Sequence, residues 1–155
     1  MAIWISIALI AVGIAGGAYY FFFFKRSCNP SLPRMSVQIG RVNFSAEVAG
    51  SIIEQSCGLS GRSGLREGEA MLFPYRSGGI RNFWMKDMNF PIDMIWIGGG
   101  KVLGFSENAA PQPGASILSL KIYTSPDGTD SVLEVPAGTV AKEGIKEGDP
   151  VKVGI

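Results

Sequence analysis

Five side chains stand where a charge or a large ring needs a chemical reason: Arg62, Trp84, Lys86, Asp93 and Glu134. Asp93 lies inside Ile92-Asp93-Met94-Ile95-Trp96-Ile97, and Glu134 inside Val132-Leu133-Glu134-Val135. A lone carboxylate in such a run is costly unless it is paired or solvated. If Phe83 to Met88 forms a strand, Trp84 and Lys86 share one face of it. The short Asn89-Phe90-Pro91 loop then brings Lys86 near Asp93 across an antiparallel pair. Arg62, just after Gly58 and Gly61, is a counter-charge for either acid. Two readings stand. In one, these groups form a partly buried ion-pair network that fixes strand register. In the other they line a polar cleft floored by Trp84, where Lys86 and Arg62 bind an anionic or sugar-like ligand. A third reading makes Asp93 and Glu134 the acid/base pair of a hydrolase or transferase, with Lys86 tuning one of them.

Composition removes much other chemistry. The 155-residue chain has no histidine and two cysteines, so a His-based triad, a His metal site and a four-thiolate zinc site are all excluded. No G-x-S-x-G occurs to present a serine nucleophile. Gly78-Gly79, between Arg76 and Arg81, lacks the strand-to-helix turn of a phosphate cradle. No metal and no cofactor is expected. With 14 basic and 13 acidic residues the formal charge is +1, so no basic field exists to hold nucleic acid.

The elements that must position these residues read mainly as strand and turn. Val37-Gln38-Ile39 and Val42-Asn43-Phe44 flank Gly40-Arg41 as a hairpin, and Ile97 and Val102 flank Gly98-Gly99-Gly100-Lys101 as another. Ser51 caps a short helix that Gly58 ends. Met71-Leu72-Phe73, Phe83 to Met88, Ile92 to Ile97, Lys101 to Glu107, Ile117 to Tyr123, Val132 to Val135 and Val151 to Val153 read as strands. Pro126-Asp127-Gly128 is a turn, and a second short helix spans Thr139 to Ile145. Short strands joined by Gly/Pro turns predict a compact β-barrel or β-sandwich with one or two short helices. Cys57 reads as a small apolar core residue, with a bond to Cys28 left open.

Ahead of this domain, residues 2–24 carry no charge, and the first charges are Lys25 and Arg26. Such a run is long enough to cross the hydrocarbon layer as one helix, with Trp4 and Tyr19-Tyr20 at the interfaces. A cleaved signal peptide is the rival, but no positive segment precedes the run, and cleavage after Ala18 would leave Tyr-Tyr-Phe-Phe-Phe-Phe exposed. The expected organisation is an N-terminal transmembrane anchor (1–24), a stiff linker (25–34) and a β domain (35–155). Lys25, Arg26, Arg34 and Arg41 all follow the anchor, which by the charge rule favours a cytoplasmic domain.

Phe83-Trp84-Met85-Lys86-Asp87-Met88-Asn89-Phe90-Pro91-Ile92-Asp93-Met94-Ile95-Trp96-Ile97 closely resembles the central signature of the DUF192 family. Gly58-Leu59-Ser60-Gly61-Arg62 resembles its upstream GLM-x-R element, and Ala70-Met71-Leu72-Phe73 its GMLF strand. Val102 to Pro111, Val132 to Gly138 and Gly148 to Val151 follow in the family's order. Ser60 stands where Met is usual, Ala70 where Gly is usual, and Asp87-Met88 where Asn-Thr is common. The resemblance implies a small, mainly β domain, frequently behind an export or membrane segment, and implies no activity. That family habit places the domain on the extracytoplasmic side, against the charge rule. The expected function is a membrane-tethered ligand-binding or accessory module at the cell envelope. Its partners would be the lipid bilayer through residues 2–24 and an envelope ligand or membrane protein. A purely structural membrane protein that packs against another subunit is a further reading.

Overall fold

Two hairpins set the first pairings. The structure, a computed structural model, describes residues 31–154. β1 (Arg34–Ile39) and β2 (Val42–Val48) pair antiparallel, with Ile39 opposite Val42. Ser51 then caps α1 (Ile52–Cys57): its hydroxyl accepts from the Glu54 N–H at 3.2 Å, and the Glu54 carboxylate accepts from the Ser51 N–H at 2.7 Å. This connection lets β3 (Glu69–Pro74) return parallel to β2. After the two-residue β4 (Asn82–Phe83), β5 (Ile92–Gly98) and β6 (Lys101–Ala109) form the second hairpin. Gly99 and Gly100 make its turn with φ of 57° and 71°, positive values that match the twist of the flanking strands.

β7 (Tyr123–Thr124) pairs with β4 in a separate small sheet. β8 (Ser131–Pro136) runs between β3 and β5, α2 (Thr139–Glu143) follows it, and β9 (Val151–Gly154) lies beside β1. The main sheet thus has the order β6-β5-β8-β3-β2-β1-β9. Its two edges meet where Lys101 bridges Pro150 and the Val151 N–H donates to the Gly100 carbonyl at 2.8 Å. The sheet therefore curls into a half barrel.

Strand alternation sorts the core into two layers. Phe44, Leu72, Ile95, Leu133 and Val135 fill the concave side with Val140 and Ile145 from the α2 region. Met71, Phe73, Ile92, Met94 and Trp96 pack on the other side under Leu59, Met85 and Met88. All seven residues of β5 are buried because both of its faces are covered, which is why its run reads as almost continuously apolar.

Several expectations are corrected. The strand expected over Phe83 to Met88 stops at Phe83; Lys86 and Asp87 form a turn, and Asp87 has φ of 55°. The cause is tertiary: the Ser60 hydroxyl donates to the Lys86 carbonyl at 3.0 Å and the Gly61 N–H to the Asp87 carbonyl at 2.9 Å. Burial here repeats every three residues, with Met85 and Met88 inside and Trp84 and Asp87 exposed, rather than with the period of two of a strand. Ile117 to Tyr123 is a single 3-10 turn followed by β7, with Leu118 98% exposed. Cys57 is buried as expected, yet it is disulfide-bonded rather than a simple core thiol. The anchor over residues 2–24, and Cys28, lie outside the described residues. Among the described residues no helix is long and apolar enough to cross a membrane.

Candidate functional site

The register of the main sheet builds the site. Glu47 on β2 lies beside Met71 on β3, Met71 opposite Glu134 on β8, and Glu134 opposite Met94 on β5. This row lies on the convex face, under α1 and the loops that follow it. Glu134 is 5% exposed, and it borders a cavity of about 220 Å³ walled by Phe73, Phe83, Tyr75 and Asn82, with Ile52 and Trp84 at its mouth. Among the described residues nothing donates a hydrogen bond to the Glu134 carboxyl, so its hydrogen-bonding capacity faces the cavity. Burial pushes this carboxyl up to about 8, while the Arg62 cation pulls the other way. At neutral pH it is thus a protonated acid, able to donate one hydrogen bond and accept another.

The 58–62 loop delivers Arg62 over this row, but not as a free cation. Its Nη2 donates to Glu47 Oε2 at 2.7 Å, and Glu47 also meets Arg34 at 3.0 Å. That hydrogen bond from Arg62 is the main reason the Glu47 carboxyl is held below the usual range. The Arg62 Nε is buried, with no partner among the described residues. Tyr75 closes the other side of the cavity. Burial raises its phenol and the Glu134 carboxyl raises it further, while Arg81, stacked 4.0 Å from the ring centroid, lowers it.

The five sequence-level candidates therefore divide. Glu134 and Trp84 meet at one cavity, and Arg62 lies close enough to Glu134 to act on its charge. Trp84 is 50% exposed and forms the rim rather than the floor. Lys86 points elsewhere, beside a separate hollow lined by Gln112 and Pro113, and pairs with its neighbour Asp87 instead of Asp93. Asp93 is opposite Val135, so its side chain leaves by the concave face, whereas Glu134 leaves by the convex one. There the fully buried Asp93 carboxylate accepts from the Asn108 N–H at 2.8 Å and the Val140 N–H at 2.9 Å. Gly138 gives α2 no side-chain cap, and Asp93 supplies one from β5. The proposed Asp93–Glu134 acid/base pair is not formed, because one sheet layer separates the two groups. Among the described residues no cluster of acidic or cysteine side chains suits a metal.

Sequence reasoning missed Glu47 and Tyr75. Glu47 carries a weak signal, as an acid near the end of the alternating run Val42 to Val48; Tyr75 carries none, since it follows Pro74 at a strand end. Gln55 was likewise passed over as part of the helix. Its Nε2 donates to the Pro74 carbonyl at 2.9 Å and seats α1 over the cavity.

Comparison with known proteins agrees with this architecture. Residues 35–153 match the DUF192 family model, described as an uncharacterized ACR. No curated protein matches. A crystal structure of a protein of unknown function from Novosphingobium aromaticivorans DSM 12444 is similar at 31% identity with a TM-score of 0.71, covering 78% of this chain and 86% of that one. A crystal structure of a putative transcription regulator from Sinorhizobium meliloti 1021 is similar at 28% identity with a TM-score of 0.72, covering 81% of this chain and 97% of that one.

Proposed function

We propose, from the premise that this chain belongs to the DUF192 family, that its β domain binds a small, neutral, sugar-like ligand in the Glu134 cavity. The observation that carries this reading is the buried Glu134 carboxyl, turned to open space with no partner from the described residues. Such a group is stable as a neutral acid and complements a hydroxyl or amide, which both donate and accept. Trp84 offers an apolar ring at the mouth, and Phe73, Phe83 and Tyr75 add more, the usual setting for a ligand with one apolar face. An anionic ligand is disfavoured because Arg62 is already neutralised by Glu47 and Lys86 lies outside the cavity. A hydrolase working through two carboxylates is disfavoured too, since Glu134 is the sole acid lining the cavity among the described residues. Nucleic-acid binding is disfavoured as well. Residues 35–155 hold 11 basic residues (14 less Lys25, Arg26 and Arg34) against 13 acidic ones, which leaves no cationic surplus for a phosphate backbone.

The module is held at the membrane by residues 2–24, with the domain on the extracytoplasmic side. The disulfide-bonded state of Cys57 supports that side, because disulfides persist in oxidising compartments. Protease added to intact cells should remove the domain; protection of the domain would place it inside. For the ligand, the full chain in detergent is titrated calorimetrically at pH 6.5 with neutral oligosaccharides of glucose and N-acetylglucosamine, and with their acidic counterparts. Saturable binding of a neutral sugar is expected, lost in Trp84→Ala and Glu134→Leu. Absence of any saturable neutral ligand, or binding indifferent to both substitutions, would refute the assignment.

A further inference from the structure

Two large apolar side chains stand in solvent at one opening, and a third follows one of them on α1. Ile52 is 83% exposed, Ile53 58% and Trp84 50%, and Ile52 and Trp84 both border the Glu134 cavity. The route of the chain explains what such a rim would face. The uncharged run ends at Phe24, and β1 starts ten residues later at Arg34 (34 − 24). Ten residues reach at most about 35 Å when fully extended, and two prolines in this stretch stiffen it. The chain also arrives at a definite place. The Pro33 carbonyl accepts from the Val48 N–H at 2.9 Å, and Leu32 packs into the same convex layer as Leu59 and Met88. Val48 ends β2, and only Ala49, Gly50 and Ser51 separate it from Ile52. The point where the linker joins the domain and the apolar rim therefore lie at the same end of the sheet.

We infer that the Ile52–Ile53–Trp84 rim is a membrane-docking surface that rests in the headgroup region of the bilayer holding residues 2–24, so that the cavity opens toward the lipid interface. The inference rests on the anchor reading. Isoleucine and tryptophan are the side chains that such a region accepts: the aliphatic groups enter the acyl boundary and the indole N–H stays at headgroup level. The ligand proposed above would then be taken from molecules held at that interface rather than from bulk solution.

The test uses the full chain with Trp4→Phe, reconstituted into vesicles of phosphatidylcholine and phosphatidylglycerol with or without bromine at shallow acyl positions. Trp96 is 2% exposed, so Trp84 is the indole that can meet the quencher. Loss of most of the Trp84 emission is expected in brominated vesicles, with no loss when Trp84→Phe is added and reduced loss in Ile52→Ser/Ile53→Ser. Both isoleucines are exposed, so that variant keeps its fold, which its melting temperature verifies. An alkaline wash separates the outcomes. Release of the chain from the vesicles would overturn the anchor reading and this inference with it. Retention with unquenched Trp84 would overturn the docking surface alone and leave the anchor and the sugar-binding assignment standing.

Discussion

Wild-type stability should fall between about pH 4.5 and 8, and replacing Glu134 by glutamine should abolish that dependence. The carboxyl is raised from 4.5 to about 8 in the folded protein, chiefly by burial. Between those two values the folded state holds a proton that the unfolded state has lost, so stability falls as pH rises. The fall is flat below the lower value and complete above the upper one. The gap is 3.5 units (8 − 4.5), which at about 1.4 kcal/mol per unit amounts to about 5 kcal/mol. A neutral amide of nearly the same shape has no such dependence. Urea denaturation of wild type and Glu134→Gln at pH 5, 7 and 9, followed by tryptophan emission, measures the difference. The curves should nearly coincide at pH 5 and separate progressively, with the variant the more stable at pH 9. Parallel pH profiles would show that the folded carboxyl ionises normally, and the neutral-acid site would fall with them.

Other perturbations separate the two carboxylates further. Asp93→Ala strands two buried N–H donors and uncaps α2; it should cost about 3 to 5 kcal/mol in the urea midpoint while leaving ligand binding by the surviving folded protein intact. Arg62→Ala removes the cation that opposes the effect of burial, so the Glu134 titration should move to still higher pH, and loss of the bond to Glu47 should cost about 1 to 3 kcal/mol. Glu47 has the opposite linkage to Glu134: its lowered pKa adds stability above 4.5 that is lost as pH falls, and Glu47→Gln should weaken the acid-side decline seen by thermal melting. Gly98→Ala would place a methyl carbon 2.4 Å from the Gly128 carbonyl oxygen and 2.6 Å from Leu103 Cδ1; a loss of about 1 to 3 kcal/mol or more, read as a lowered melting temperature, is expected.

Both hairpins, the capped α1, β5, β8 and the small mainly β architecture were legible in the sequence. Each depends on signals a few residues apart: the Gly99-Gly100 turn, the Ser51–Glu54 capping box and short apolar runs bounded by turns. The segment from Trp84 to Asn89 was not legible in this way. Its large apolar residues, following directly on Phe83, read as the continuation of a strand, but its carbonyls are taken by Ser60 and Gly61, more than twenty positions earlier. Ile117 to Tyr123 failed for a related reason, since an apolar stretch without a partner strand has no ladder to join.

The candidate site shows the same division. Asp93 and Glu134 stand out before any folding is known, because a charge within an apolar run is expensive wherever the chain folds. The same apolar runs also place each of them on a strand. Their opposite fates, by contrast, follow from the folded sheet. The side chain of a strand residue changes face with every step, and the pairing of Asp93 with Val135, and of Met94 with Glu134, sends one acid to the first turn of α2 and the other to an open cavity. Register between distant strands is set by the whole folded sheet, and here it decides which of the two acids faces a ligand.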